Sequence, residues 1–195
     1  MFRSSRRTAT RVKDGQVQKK NNWKATPTYW NTEQLNVVID REAAGRGYRH
    51  LLRKDDVRRF IALLPDWKEL SVGLNAILLA RGNRGLDGWQ DQGVVGLCAW
   101  ERELWREADA DYLADHADLF ERLGVPRTGG RLEFTESSAR AYQLLHILLH
   151  ELGHHRDDMT TRSRRGSRGE GFAEQYALQY EKVIWNRFLD EFGLE

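Results

Sequence analysis

Across its 195 residues the chain holds a single cysteine, Cys98. With no second thiol a disulfide framework is excluded, and a reducing compartment such as the cytoplasm is the expected setting. No apolar run approaches the ~18–20 residues of a membrane span. The opening MFRSSRRTATRVKDG lacks the apolar centre of a secretory signal, so no membrane partner is expected. There is no internal repeat, and the one biased segment is the arginine cluster of TTRSRRGSRG. Net charge is also small, +2, but unevenly placed: residues 1–24 hold eight Lys or Arg against one Asp. That segment is therefore +7 and the remainder −5.

The length suits one domain, and 40% apolar residues is the content of a globular protein. Residues 1–28 read as a basic arm without stable elements, with Asn21, Asn22 and Pro27 as punctuation. Its charge is that of a solvated tail, or of a contact with nucleic acid through residues 1–24. The folded domain is expected over 29–195. Thr32–Arg41 is open between strand and helix, with Leu35, Val37, Val38 and Ile39 as burial candidates. Asp55 or Asp56 is expected to cap a helix whose Val57, Phe60, Ile61 and Leu64 make one apolar face before Pro65. In Leu70–Ala80, the residues Val72, Leu74, Ala76 and Leu78 alternate as in a strand, and Val94–Trp100 reads as another after a Gly/Asp-rich loop. Ala110–Leu123 reads as one helix with Tyr112, Leu113, Leu119, Phe120 and Leu123 inward, stopped by Gly124 and Pro126. A short strand over Arg131–Thr135 follows, and Thr135 or Ser137 caps the next helix; Thr135-x-x-Ser138 falls short of a full capping box. The expected class is α+β, a small sheet with helices packed on it.

That next helix, ARAYQLLHILLHELGHH over Ala139–His155, carries His150, Glu151 and His154 in the order H-E-x-x-H. Its Leu144, Leu145, Leu148, Leu149 and Leu152 recur at helical spacing. Two histidines four residues apart stand one above the other, about 6 Å apart along the axis, and converge on one ion. Zinc suits them because it takes neutral imidazole nitrogen at about 2.0–2.1 Å and tolerates three protein ligands plus a water. Glu151 then projects toward that water and can take its proton. Downstream, His155, Asp157, Asp158, Glu170 and Glu174 are candidates for the third ligand. His155 lies about 100° around the helix from His154 and is expected to be exposed or to cap the helix end. His146 continues the row one turn earlier but lies about 12 Å from His154 along the axis, so it is expected behind the site or in the core.

The residues from Leu145 to Glu181 resemble the gluzincin zinc peptidases, the group of thermolysin and the zinc aminopeptidases. In that group a second helix after H-E-x-x-H supplies a glutamate ligand. Gly169-Glu170-Gly171-Phe172-Ala173 is similar to the N-E-G-F-A signature of the aminopeptidases, with Gly169 in place of asparagine. The resemblance implies a zincin-like fold with Glu170 as ligand. It places Glu174, one turn on, where a carboxylate orients the first histidine; Glu174 is also the alternative ligand. Fifteen residues separate His154 from Glu170, fewer than in those relatives, so the chain looks like a minimal gluzincin.

The expected function is zinc-dependent hydrolysis of a peptide or protein substrate, with Glu151 as general base. The alternative is a zinc-stabilised module that sits on nucleic acid through its basic arm. Tyr142, Tyr176, Tyr180 and the arginines of the ligand loop are candidates for stabilising an oxyanion. Val94–Trp100 or Arg131–Thr135 is the expected edge for an extended substrate. Arg162, Arg164, Arg165 and Arg168 in the loop before Glu170 read as part of a flexible, solvated connection or, at the rim of the cleft, as favouring acidic substrates or a nucleic-acid-bound target.

Overall fold

The structure, a computed structural model, describes residues 12–13, 16–17, 27–161 and 168–194. Within the stretch read as lacking structure, Val12–Lys13 pairs antiparallel with Gln16–Val17. The rest of residues 1–26, with the solvated tail or nucleic-acid contact offered for them, lies outside the described residues, as do Arg162, Arg164 and Arg165. Among the described residues no helix is long and apolar enough to cross a membrane.

The class is α+β. Strand β1 (Val38–Arg41) leads through helix α1 (Lys54–Ile61) to β2 (Ala76–Ala80). A hairpin follows, β3 (Gly88–Asp91) and β4 (Val94–Cys98), turned at Gln92 and Gly93, both at positive φ. Strand order is β1-β2-β4-β3, with β1, β2 and β4 parallel and β3 antiparallel on the edge. Every residue of β2 and β4 is buried, as parallel strands covered on both faces must be. Ile77, Leu79, Val95 and Leu97 join the main core with Leu145, Leu148, Leu149 and Leu152 of the motif helix. Ala76, Leu78, Ala80 and Val94 face the other way, under Tyr29 and Trp89. Trp89 lies flat over its cross-strand partner Gly96, where a Cβ would overlap the indole.

Helices α2 (Ala110–Asp115) and α3 (Ala117–Arg122) come next, then α4 (Glu136–Tyr142), a π-helical segment over Gln143–Leu148, α5 (Leu149–Thr160) and α6 (Gly169–Phe192). Buried Ala173, Ala177, Glu181, Ile184 and Phe188 form the inward stripe of α6, at spacings of three and four that keep one helix face on the core.

Several expectations are corrected. Leu35 is exposed, and only Val38–Arg41 forms strand. Val72 is exposed as well: a short helix over Trp67–Leu70 occupies the start of that stretch, and the strand begins at Ala76. Arg53 takes the N-cap position of α1, and Asp56, inside the helix, accepts the Arg53 N–H at 2.8 Å. Ala110–Leu123 is two helices, broken at His116. The capping box at Thr135 is complete, because the Ser138 hydroxyl accepts the Thr135 N–H at 2.9 Å while Thr135 Oγ1 accepts that of Ser138 at 3.0 Å. Serine does here what glutamate usually does. Neither proposed edge strand has a free edge. β4 lies between β2 and β3, and Arg131–Glu133 lies between Trp105–Glu107 and Arg127–Thr128.

Candidate metal centre

The motif helix lies against the sheet by its leucine face and turns Tyr142, His146, His150 and His154 the other way. On a regular α-helix a row spaced by four drifts about 40° per step; the wider π turn over Gln143–Leu148 offsets that drift. The rings therefore stay in file, with centroids 5.2, 6.1 and 4.8 Å apart from Tyr142 to His154. Gln143 pins the π segment to the end of β4 through its Nε2, which donates to the Cys98 carbonyl at 2.9 Å.

Helix α6 brings Glu170 against this row. His150 Nε2 lies 3.1 Å from His154 Nε2 and 3.2 Å from Glu170 Oε2, and His154 Nε2 lies 3.4 Å from Glu170 Oε1. Two imidazole nitrogens and one carboxylate so close together can hold a divalent metal ion. His150 Nδ1 lies 3.0 Å from Glu174 Oε2, so the carboxylate accepts its N–H and leaves Nε2 bare toward Glu170. Burial alone would push the Glu174 carboxyl up, but bonds to His116 and His150 hold it far below the usual range.

The close approach of α5 and α6 depends on Gly153. A Cβ there would stand 2.9 Å from Ala173 Cα and 3.2 Å from the Ala173 carbonyl oxygen, backbone atoms that cannot swing aside. Gly153→Val is expected to cost about 1–3 kcal/mol and to draw Glu170, one turn before Ala173, away from the histidines. A denaturant midpoint equal to wild type would contradict this.

Asp157 holds the start of α6. Its carboxylate accepts the N–H groups of Arg168 at 2.5 Å and Gly169 at 3.1 Å and the Arg168 Nε at 2.8 Å. Burial raises that carboxyl, and these donors outweigh it, so it stays below the usual range. Asp157 thus anchors the helix and takes no part in the cluster. Gly169 enters α6 at φ +66°, a conformation that glycine, and next to it asparagine, adopts most readily.

Glu151 lies under β3, in the lining of the same cleft as His150, His154 and Glu170. A Cβ on Gly88 would meet its Oε1 at 2.6 Å, so glycine on the edge strand makes the room for this carboxylate. Burial pushes it to about 7, with His150 pulling the other way. Together these groups line a cleft of about 430 Å³ with residues 85–90 on one wall and Tyr112, Tyr142 and Ile147 on its floor.

Other candidates lie elsewhere. His155, expected to be exposed or capping, is buried with its Nε2 2.9 Å from the Val72 carbonyl. Its place 100° around the helix turns it into the core beneath the Ser71–Gly73 turn. Asp158 is exposed and outside the cluster. Tyr180 bonds Asp66, and Tyr176 packs beside Gly153; of the three tyrosines only Tyr142 lines the cleft. Arg168 is spent on Asp157 and stacks 3.6 Å above the Phe172 ring. Sequence reading missed Gly88 and β3, because Gly88, Trp89, Gln90 and Asp91 show no apolar alternation. It took Tyr112 for a core residue only and missed His116, which no local pattern marks.

The histidine pair, the glutamate of the crossing helix and the buried Glu151 form a gluzincin-like arrangement, with the geometry of a metal-activated hydrolytic site. No protein-family model, curated protein or solved structure matches the chain.

Proposed function

We propose that the protein is a zinc-dependent peptidase, with the zinc held by His150, His154 and Glu170 and the proton transfers carried by Glu151. The observation that carries this is the cluster in which His150 Nε2 and His154 Nε2 lie 3.1 Å apart and meet the two Glu170 oxygens, one each, at 3.2 and 3.4 Å. Tetrahedral zinc with bonds of 2.0–2.1 Å holds its ligand atoms about 3.3–3.4 Å apart, so this donor set fits it. Three protein ligands leave a fourth position, and Glu170, 84% exposed in its side chain, faces the open cleft. Bound there, zinc supplies Lewis acidity toward a water and a carbonyl oxygen.

The chain's own groups supply the rest. Glu151, which burial pushes up to about 7, is suited to take a proton from the attacking water and return it to the leaving amine. Glu174 fixes the tautomer and the ring plane of His150. The free edge of β3 runs along the cleft, where an extended peptide can add as a further antiparallel strand. The unit that acts is the domain over 29–195, with 1–28 as its arm. A cytoplasmic setting suits its one free, buried thiol.

The test is zinc content and cleavage of a peptide library by the purified protein. One zinc per chain with cleavage is expected, and zinc-loaded protein that cleaves no peptide rejects the peptidase reading. Glu170→Ala should remove most of the metal affinity, whereas Glu174→Ala should cost about 10- to 100-fold. If chelator competition ranks the two in the opposite order, their roles must be exchanged.

A further inference from the structure

Behind the cluster of His150, His154 and Glu170 lies a second group, His116, His146 and Glu174, whose candidate ligand atoms fall within 4.8 Å of one another. His116 and His146 are buried, at 3% and 2% exposure. The group is not spaced as a second metal site. His116 Nε2 and Glu174 Oε1 are 2.5 Å apart, closer than the roughly 3.3 Å that separates two ligands of one tetrahedral ion. Such a separation is that of a close ion pair.

The chemistry of each neighbour settles which way that pair is built. His116 Nδ1 lies 2.8 Å from the Tyr112 carbonyl oxygen, which only accepts, so Nδ1 carries a hydrogen. Nε2 faces a carboxylate, which also only accepts. A ring with acceptors at both nitrogens is an imidazolium. Burial alone would lower the His116 pKa, yet the contacts with Glu174 and the Tyr112 carbonyl leave it raised. The break between α2 and α3 falls at His116 and lets one residue reach back to Tyr112 and across to α6. An ion pair between Arg122 and buried Glu181 ties α3 to α6 beyond it.

We propose that His116 is a positioning residue of the metal centre: it clamps Glu174, which in turn holds His150 with Nε2 toward the ion. The order is Tyr112 carbonyl, His116, Glu174, His150, and each link is a contact of 3.0 Å or less. This rests on the metal site proposed above. Without His116, Glu174 keeps its burial but loses its larger partner, and its hold on His150 slackens.

His116→Phe keeps a ring against Tyr112, whose centroid is 3.9 Å away, and removes both donors. In competition between the protein and a chelator for zinc, folded His116→Phe should bind about 10- to 100-fold more weakly than wild type. In a Glu174→Ala background the same change should add almost nothing, because its route to His150 is already cut. Wild-type zinc affinity in folded His116→Phe would overturn the proposal, as would an equal further loss in the Glu174→Ala background. A merely structural role would lower the melting temperature and leave both affinities in place. Should His116→Phe fail to fold, nitrogen-15 spectra of the zinc-loaded wild type decide: both His116 ring nitrogens should carry hydrogen at neutral pH, and a neutral His116 ring would refute the clamp. If zinc binds wild type and His150→Ala equally, the metal site itself has failed, a result separate from either outcome for His116.

Discussion

Glu151→Gln is expected to keep its zinc and to hydrolyse peptides about 10²- to 10⁴-fold more slowly than the wild type, the loss typical of a removed general base. Glutamine matches glutamate in size, so the space beneath Gly88 and beside Ile147 stays filled. What disappears is a group able to accept a proton. The cluster of His150, His154 and Glu170 does not include Glu151, so metal content should not move. Burial also makes the neutral amide cheaper to hold there than a carboxylate, and the variant should fold at least as stably as the parent. Metal analysis and initial rates on one cleaved peptide check both halves. Unchanged turnover would remove Glu151 from the mechanism, and loss of zinc would show that it supports the ligands instead.

The second large effect is on the metal itself. His150→Ala and His154→Ala should each abolish zinc binding, because each removes one of the three proposed ligands. A folded state that binds a ligand is stabilised by mass action, by about 2.7 kcal/mol at a free concentration 100 times Kd. For a chain of this size that corresponds to a rise in Tm of about 5–11 °C. Wild type should show that rise on addition of zinc and lose it on addition of a chelator, while neither histidine variant should respond. Full zinc occupancy in either variant, or an equal rise in all three proteins, would show that zinc binds elsewhere.

Legibility followed distance along the chain. His150, Glu151 and His154 were visible because a helix converts spacing in sequence directly into position on a face, and the leucines between them declare which face is buried. The amphipathic stretch around Phe60 was visible for the same reason, and the two buried strands showed as short apolar runs, the first of them beginning later than expected. Leu35 and Val72 misled because apolar character does not by itself state whether a residue is covered. The single helix expected over Ala110–Leu123 had the right inward residues, but helical periodicity reveals neither its break at His116 nor the contact of that residue with Glu174 of α6.

By itself, the sequence determined the class of fold, the helix that carries His150, Glu151 and His154, and the chemistry such residues can perform, since these depend on residue type and on neighbours within a turn or two. Only the tertiary structure decided which strand offers its edge to the cleft, that Asp157 anchors α6, and that His155 belongs to the core. It also joined His116 to His150 through Glu174. Those outcomes depend on which segments pack together, and packing is set by the whole core, where Gly153 lets α5 and α6 approach and Gly88 leaves room for Glu151.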